Sequence, residues 1–189
     1  MSKTTWSTLI LGAAAYVFPS TAHAQDLLRG ELDDTRAHIG ALLGGGPSHT
    51  DNSNGDAVGS LLFALKGGLF FDRFELGLEF APATYVMSFR PDIPSVHMNL
   101  YGGYHIPVYK SISWPLRVGL GFTTPTFRGD AGDTLLALRA DLIGVSVLLA
   151  DKFLLDVHVP SWRVNIDAER GGAFFSYIFG VGFAYAPKI

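Results

Sequence analysis

His158 and Ser161 are the nearest approach in this sequence to a base beside a nucleophile. Nucleophilic catalysis needs the imidazole within hydrogen-bond reach of the hydroxyl, and a His-x-Ser spacing on a strand would set both on one face. The spacing here is His158-Val159-Pro160-Ser161, which puts the two on opposite faces of a regular strand unless Pro160 forces a bulge. Ser48, His49, Asp51 and Asp56 lie in one stretch, 44–56, whose composition would in principle allow a metal or an activated nucleophile. Gly, Ser, Asn and Asp are equally what a solvated loop contains. His97 and His105 share a strand face but lie about 26 Å apart at about 3.3 Å per residue, too far to bind one metal. The sequence has no phosphate-binding loop, zinc spacing, calcium loop or dinucleotide fingerprint, so neither a cofactor nor a metal is expected.

A larger polar set recurs at every second position of otherwise apolar segments: Arg36, His38, Lys66, Glu75, Glu79, His97, Asn99, His105, Arg117, Arg139, Asp141, Asp156 and His158. Its four firm cations match its four carboxylates, so the set can neutralise itself. Charges held away from water are costly unless paired, which makes close-packed ion pairs the expected arrangement. The same residues would line a polar conduit if the space between them were open.

The elements that carry these residues are strands. Phe74-Glu75-Leu76-Gly77-Leu78-Glu79-Phe80 alternates strictly, and 96–106 alternates over a longer stretch, giving one apolar and one polar face. Extending the pattern predicts eight strands at about 35–45, 57–69, 73–83, 95–106, 113–124, 134–150, 153–164 and 173–185, with the sixth losing its phase at a bulge after Gly144. The uncharged stretch 171–187 is slightly short for a membrane helix and alternates aromatic with small residues, as a strand does. Connections two, four and six are tight, whereas one, three, five and seven are longer and rich in Gly, Pro, Asp and Asn.

Composition fits a lipid-facing exterior. The chain is 48% hydrophobic and only 16% charged, too few charges to coat a water-facing surface. Its net charge of -3 does not suit nucleic acid. The first 24 residues combine Lys3, the apolar stretch 9–18, Pro19 and Ala22-His23-Ala24, the order of a secretory signal peptide cleaved after Ala24. Without cysteine, the exported domain must be stable without disulfides. The expected organisation is a signal peptide at 1–24, a short periplasmic segment at 25–34 and a barrel at 35–189.

With these elements in place, the mature chain resembles the small outer-membrane barrels of the OmpA, OmpX and OmpW kind. The resemblance implies an all-β, eight-stranded antiparallel up-and-down transmembrane β-barrel, with short turns in the periplasm and longer loops outside. Outward residues are then apolar, among them Ile39, Leu65, Leu78, Leu100, Val118, Leu138, Val157 and Phe183, and the polar set faces the lumen. Aromatic residues near the strand ends, such as Phe70, Phe71, Tyr109, Trp114, Trp162 and Phe174, suit the interfacial girdles. The last strand, 180–185, looks like the terminal signal read by the barrel-insertion machinery, with Phe183 and Tyr185 at +3 and +5 from Gly180. It departs from that signal at Ile178 and in running on through 186–189. Expected partners are outer-membrane lipid, lipopolysaccharide and that machinery. The expected role is structural or surface-interacting, with specificity in the loops 44–56, 85–95, 125–133 and 165–172. A second resemblance, to lipid A deacylases of the PagL kind, implies a Ser-His-Glu triad, for which His158, Ser161 and Glu169 are the candidates. A narrow solute channel and a soluble lipocalin-like barrel are the further alternatives.

Overall fold

The computed structural model describes residues 32, 34–50, 58–87, 93–127, 130–131, 133–167 and 172–189. Period-two alternation has produced strands throughout: β1 (Arg36–Thr50), β2 (Val58–Phe71), β3 (Phe74–Met87), β4 (Ile93–Tyr109), β5 (Ile112–Phe127), β6 (Asp130–Ala131), β7 (Leu135–Asp141), β8 (Gly144–Leu149), β9 (Phe153–Asp167) and β10 (Gly172–Tyr185). All neighbours are antiparallel, and β10 pairs with both β9 and β1, so the sheet closes on itself. β7 and β8 lie end to end as one stave between β5 and β9, while β6 is a two-residue extension paired to β5. The result is an eight-stave, closed up-and-down barrel.

The sixth stave breaks at Leu142 and Ile143, just before Gly144 rather than after it. Both residues are exposed, and the inward phase moves from Ala137, Arg139 and Asp141 to Ser146 and Leu148. The break frees the Leu142 carbonyl on the outer face, where lipid offers no donor. Trp114 supplies one, its Nε1–H donating to that oxygen at 2.8 Å.

One end of the barrel is made of tight turns. Phe71 pairs with Phe74, and Tyr109 with Ile112, so two residues close each of these hairpins, and three close the β8–β9 connection. Asp72, Lys110, Ala150 and Asp151 adopt the left-handed backbone (φ 44° to 59°) that such reversals require. At the other end the strands run further than alternation suggested. β1 continues to Thr50, β3 to Met87, β5 to Phe127 and β9 to Asp167, so ladders occupy much of the stretches expected to be loops.

The faces sort as expected for a barrel in lipid. Ile39, Phe74, Leu100, Val118, Val181 and Phe183 are more than half exposed, whereas Arg36, Glu79, Arg117, Asp141 and His158 are at most 1% exposed. Phe70 is a correction: it faces inward, fully buried, and its ring packs against His38 and His105 at about 5 Å. With Leu32, Leu148, Leu154, Ala184 and Ala186 it forms an apolar layer inside the short-turn end. Leu42, Leu62, Ala64, Ala81 and Ile178 form a second apolar group on the inner wall of β10, β1, β2 and β3. The proposed leader 1–24 and most of the lead-in 25–34 lie outside the described residues.

Candidate functional site: the charged lumen

The polar set of alternate positions converges in the barrel interior because each member sits on the inward phase of its strand. Two linked clusters result. In the first, Glu75 accepts from Arg117 Nε at 2.5 Å and from the Tyr101 hydroxyl at 3.1 Å, with His105 Nε2 at 2.9 Å and His38 Nε2 at 3.3 Å. Arg117 also donates from Nη2 to Asp156 at 3.0 Å, and the Ser146 hydroxyl donates to the same carboxylate. Tyr101 crosses the lumen over Gly77, where a Cβ would lie 2.6 Å from the phenol ring, so that close approach depends on glycine.

In the second cluster Arg139 donates from Nη1 to Glu79 at 2.5 Å and from Nε to Asp141 at 3.0 Å, with a second bond from Nη2 to Asp141. Arg163 Nη2 donates to the other Glu79 oxygen at 2.7 Å. Lys66 Nζ lies 3.2 Å from His158 Nε2 and 5.9 Å from the Tyr101 ring centre, and the Arg139 guanidinium carbon lies 5.2 Å from the same centre. Charge-assisted bonds of this kind are the strong ones, and low dielectric makes their loss expensive.

Arg163 was not expected in the lumen, nor were Ser161 and Asn165. β9 carries one extra residue against β10: Ser161 pairs with Ile178 but His158 with Gly180. This bulge beside Pro160 shifts the inward positions from 154, 156 and 158 to 161, 163 and 165. The sequence holds the signal, since Asp156 and His158 fall on even positions and Ser161, Arg163 and Asn165 on odd ones. With Arg163 included, Lys66, Arg117, Arg139 and Arg163 face Glu75, Glu79, Asp141 and Asp156. Arg36 lies apart at the short-turn end, donating to the Asp151 carboxylate at 2.5 Å and to the Asp151 and Ala186 carbonyls.

The same bulge brings His158 and Ser161 into one interior. It does not couple them, because the Ser161 hydroxyl donates to Asp141, and His158 lies between Lys66 and Asp141, its Nδ1 3.4 Å from the carboxylate. Both are 1% exposed, and Glu169 lies outside the described residues. Of the 44–56 candidates, Ser48 faces the lumen in a serine cluster with Ser60 and Ser176, and His49 packs edge-on to Tyr177. Asp51 and Asp56 lie outside the described residues. Toward the loop end His97 contacts the Thr123 hydroxyl at 2.6 Å and that of Ser95 at 3.1 Å, and Thr123 Oγ1 donates to Asn165 at 2.7 Å. Asn99 is buried on the same inner face. Among the described residues, no three His, Asp or Glu side chains converge as a metal-ligand set.

At the short-turn end the chain terminus folds back under the barrel. Lys188 Nζ lies 2.5 Å from Asp34 and 3.4 Å from Asp151, the Ala186 amide donates to the Lys152 carbonyl at 2.6 Å, and the Ile189 amide donates to that of Thr35 at 3.1 Å. Burial opposes ionisation of Asp151, but the hydrogen bond and charge of Arg36, with Lys188, hold its carboxyl below the usual range. Lys188 is raised, chiefly by its hydrogen bond to Asp34.

No family model matches the chain, and no curated protein sequence does. Solved structures do match. Neisserial surface protein A is 12% identical over 80% of this chain and 96% of that one, with a TM-score of 0.57. The attachment invasion locus protein Ail of Yersinia pestis is 18% identical over 81% and 99% (TM-score 0.46), and OprG of Pseudomonas aeruginosa 13% identical over 85% and 99% (TM-score 0.47). The chain therefore has the fold of small eight-stranded outer-membrane barrels.

Proposed function

We propose that this protein is a non-conducting outer-membrane scaffold, exported by its N-terminal leader, whose filled barrel holds the loop-end segments in place for surface interactions. The observation that supports this most is the continuous ion-pair layer across the lumen, from Asp156 through Arg117 to Glu75 and from Asp141 through Arg139 to Glu79 and Arg163. An eight-stranded interior is only wide enough for side chains to fill, and here large charged ones fill it. Apolar residues at the short-turn end add a second obstruction. Planar-bilayer recordings on the purified protein are expected to show no discrete conductance; reproducible steps would overturn the proposal.

The hydrolase reading has weaker support, since the nucleophile it needs is committed to Asp141 and enclosed. Ser161→Ala is expected to leave lipid A acyl composition unchanged in the native host.

A further inference from the structure

The short-turn end contains a cavity of about 140 Å³, lined by Leu32, Arg73, His105, Lys110, Ser111 and Ser113 together with Pro107. That volume exceeds what one water requires and admits a small polyatomic ion. Its polar lining carries two cations and, among the described residues, no carboxylate. Arg73 and Lys110 occupy the β2–β3 and β4–β5 turns, and the Arg73 carbonyl accepts from the His105 amide at 2.9 Å, which fixes that turn beside the cavity wall. Among the described residues neither cation has a carboxylate partner within ion-pair distance.

Glu75, the inward carboxylate that the lining residue His105 touches, is also engaged by Arg117 and Tyr101. Asp72 is exposed in the same turn as Arg73. His105 and Ser113 are bonded to each other at 3.0 Å, which leaves Ser111. Its hydroxyl is buried, the residue being 2% exposed, and has no hydrogen-bond partner. A buried hydroxyl left unpaired is costly, and here its residue lines a cavity flanked by two cations that have no carboxylate partner among the described residues, Lys110 lying over the Tyr109 ring at 5.4 Å.

We propose that this cavity binds a phosphate-type oxyanion, with Arg73 and Lys110 supplying charge and the Ser111 hydroxyl donating a hydrogen bond. A planar guanidinium and a flexible ammonium on neighbouring turns suit the several acceptor oxygens of such a group. The anion is either free in the compartment that the short turns face or the headgroup phosphate of a lipid in the adjoining leaflet. The aromatic rim beside the cavity, with Tyr109 58% and Phe74 61% exposed, lies where such a lipid would pack.

The test uses isotopically labelled protein extracted from the outer membrane into dodecyl maltoside, in phosphate-free buffer, first shown to be folded by its heat-dependent gel shift. Titration with inorganic phosphate is followed by amide and side-chain shifts at Arg73, Lys110 and Ser111. The comparison is repeated in bilayer discs of phosphatidylglycerol and of a phosphate-free galactolipid. Saturable shifts confined to this end with inorganic phosphate assign a free anion; shifts only between the two lipids assign a headgroup. Arg73→Gln and Lys110→Gln should each weaken the effect about tenfold. Ser111→Ala should weaken it severalfold while leaving the gel shift intact, because its hydroxyl gives up no existing bond. Shifts that are absent in both arms, do not saturate, or are unchanged in Arg73→Gln would overturn the proposal without touching the barrel assignment.

Discussion

Replacing Glu79 by Gln removes one charge from the centre of the lumen while keeping the side-chain shape. Glu79 is fully buried and accepts from Arg139 at 2.5 Å and from Arg163 at 2.7 Å. Arg139 retains Asp141 in the variant. Arg163 retains nothing comparable: its Nε and Nη1 have no partner among the described residues, and Glu79 is its ion-pair acceptor. Each bond to a charged group is worth about 1.5–3 kcal/mol, so losing Arg163's bond whole and weakening Arg139's costs about 3–5 kcal/mol. That equals the usual cost of leaving a buried charge uncompensated. Equilibrium urea unfolding in phospholipid vesicles measures it directly. Adding Arg163→Gln removes the stranded charge, so the double variant should recover part of the loss, with a coupling energy of about 1–3 kcal/mol. A Glu79→Gln change within about 0.5 kcal/mol of the parent, or strictly additive single variants, would refute the idea that this pair is dry and tightly packed.

Trp114→Phe should cost about 1 kcal/mol in the same assay by leaving the Leu142 carbonyl without its donor in lipid, and an unchanged midpoint would contradict that role. Gly121→Ala should abolish the heat-resistant form, since a Cβ there overlaps the Met98 carbonyl and the Asn99 side chain, whereas Gly172→Ala, with nothing within 4 Å, should be neutral; gel shifts distinguish them. The terminal clasp should open in acid. Asp151 is depressed in the folded protein, so its contribution is present above the ordinary carboxylate pKa and is lost as pH falls through the folded value; Lys188, raised, loses its contribution only in strong alkali. Protection of the Ile189 amide, corrected for intrinsic exchange, should therefore fall below about pH 4, and Asp151→Asn should weaken that transition while leaving the Lys188–Asp34 contact in place.

The barrel was legible because its two faces differ so sharply that period-two alternation names both the strands and their inward residues; Glu75, Glu79, Arg117 and Arg139 all fall where the pattern puts them. Phase was lost where pairing rather than pattern decides it. The bulge at Pro160 is fixed by the register of β10, and its trace in the sequence is the switch of polar residues from even positions at Asp156 and His158 to odd ones at Ser161, Arg163 and Asn165. Phe70 suits a girdle by its place near a strand end, yet it shares the inward phase of Lys66, and the end of this lumen is apolar. The loop-end strands outrun the alternation because Gly, Ser and Pro weaken strand signals, while pairing with neighbours carries β1, β5 and β9 onward. Hydrogen bonding in the lumen depends on which side chains meet across the barrel, and no spacing along the chain encodes that Ser161 reaches Asp141 rather than His158.

The most direct test of the account is to express the full chain in a Gram-negative host, separate the envelope fractions and run each on gels with and without boiling. Recovery in the outer membrane, with a heat-dependent shift in migration and an N-terminus beginning at Gln25, is the predicted result. Recovery as a soluble periplasmic protein would contradict it, because the belt of Ile39, Leu100, Val118 and Phe183 would then have to face water.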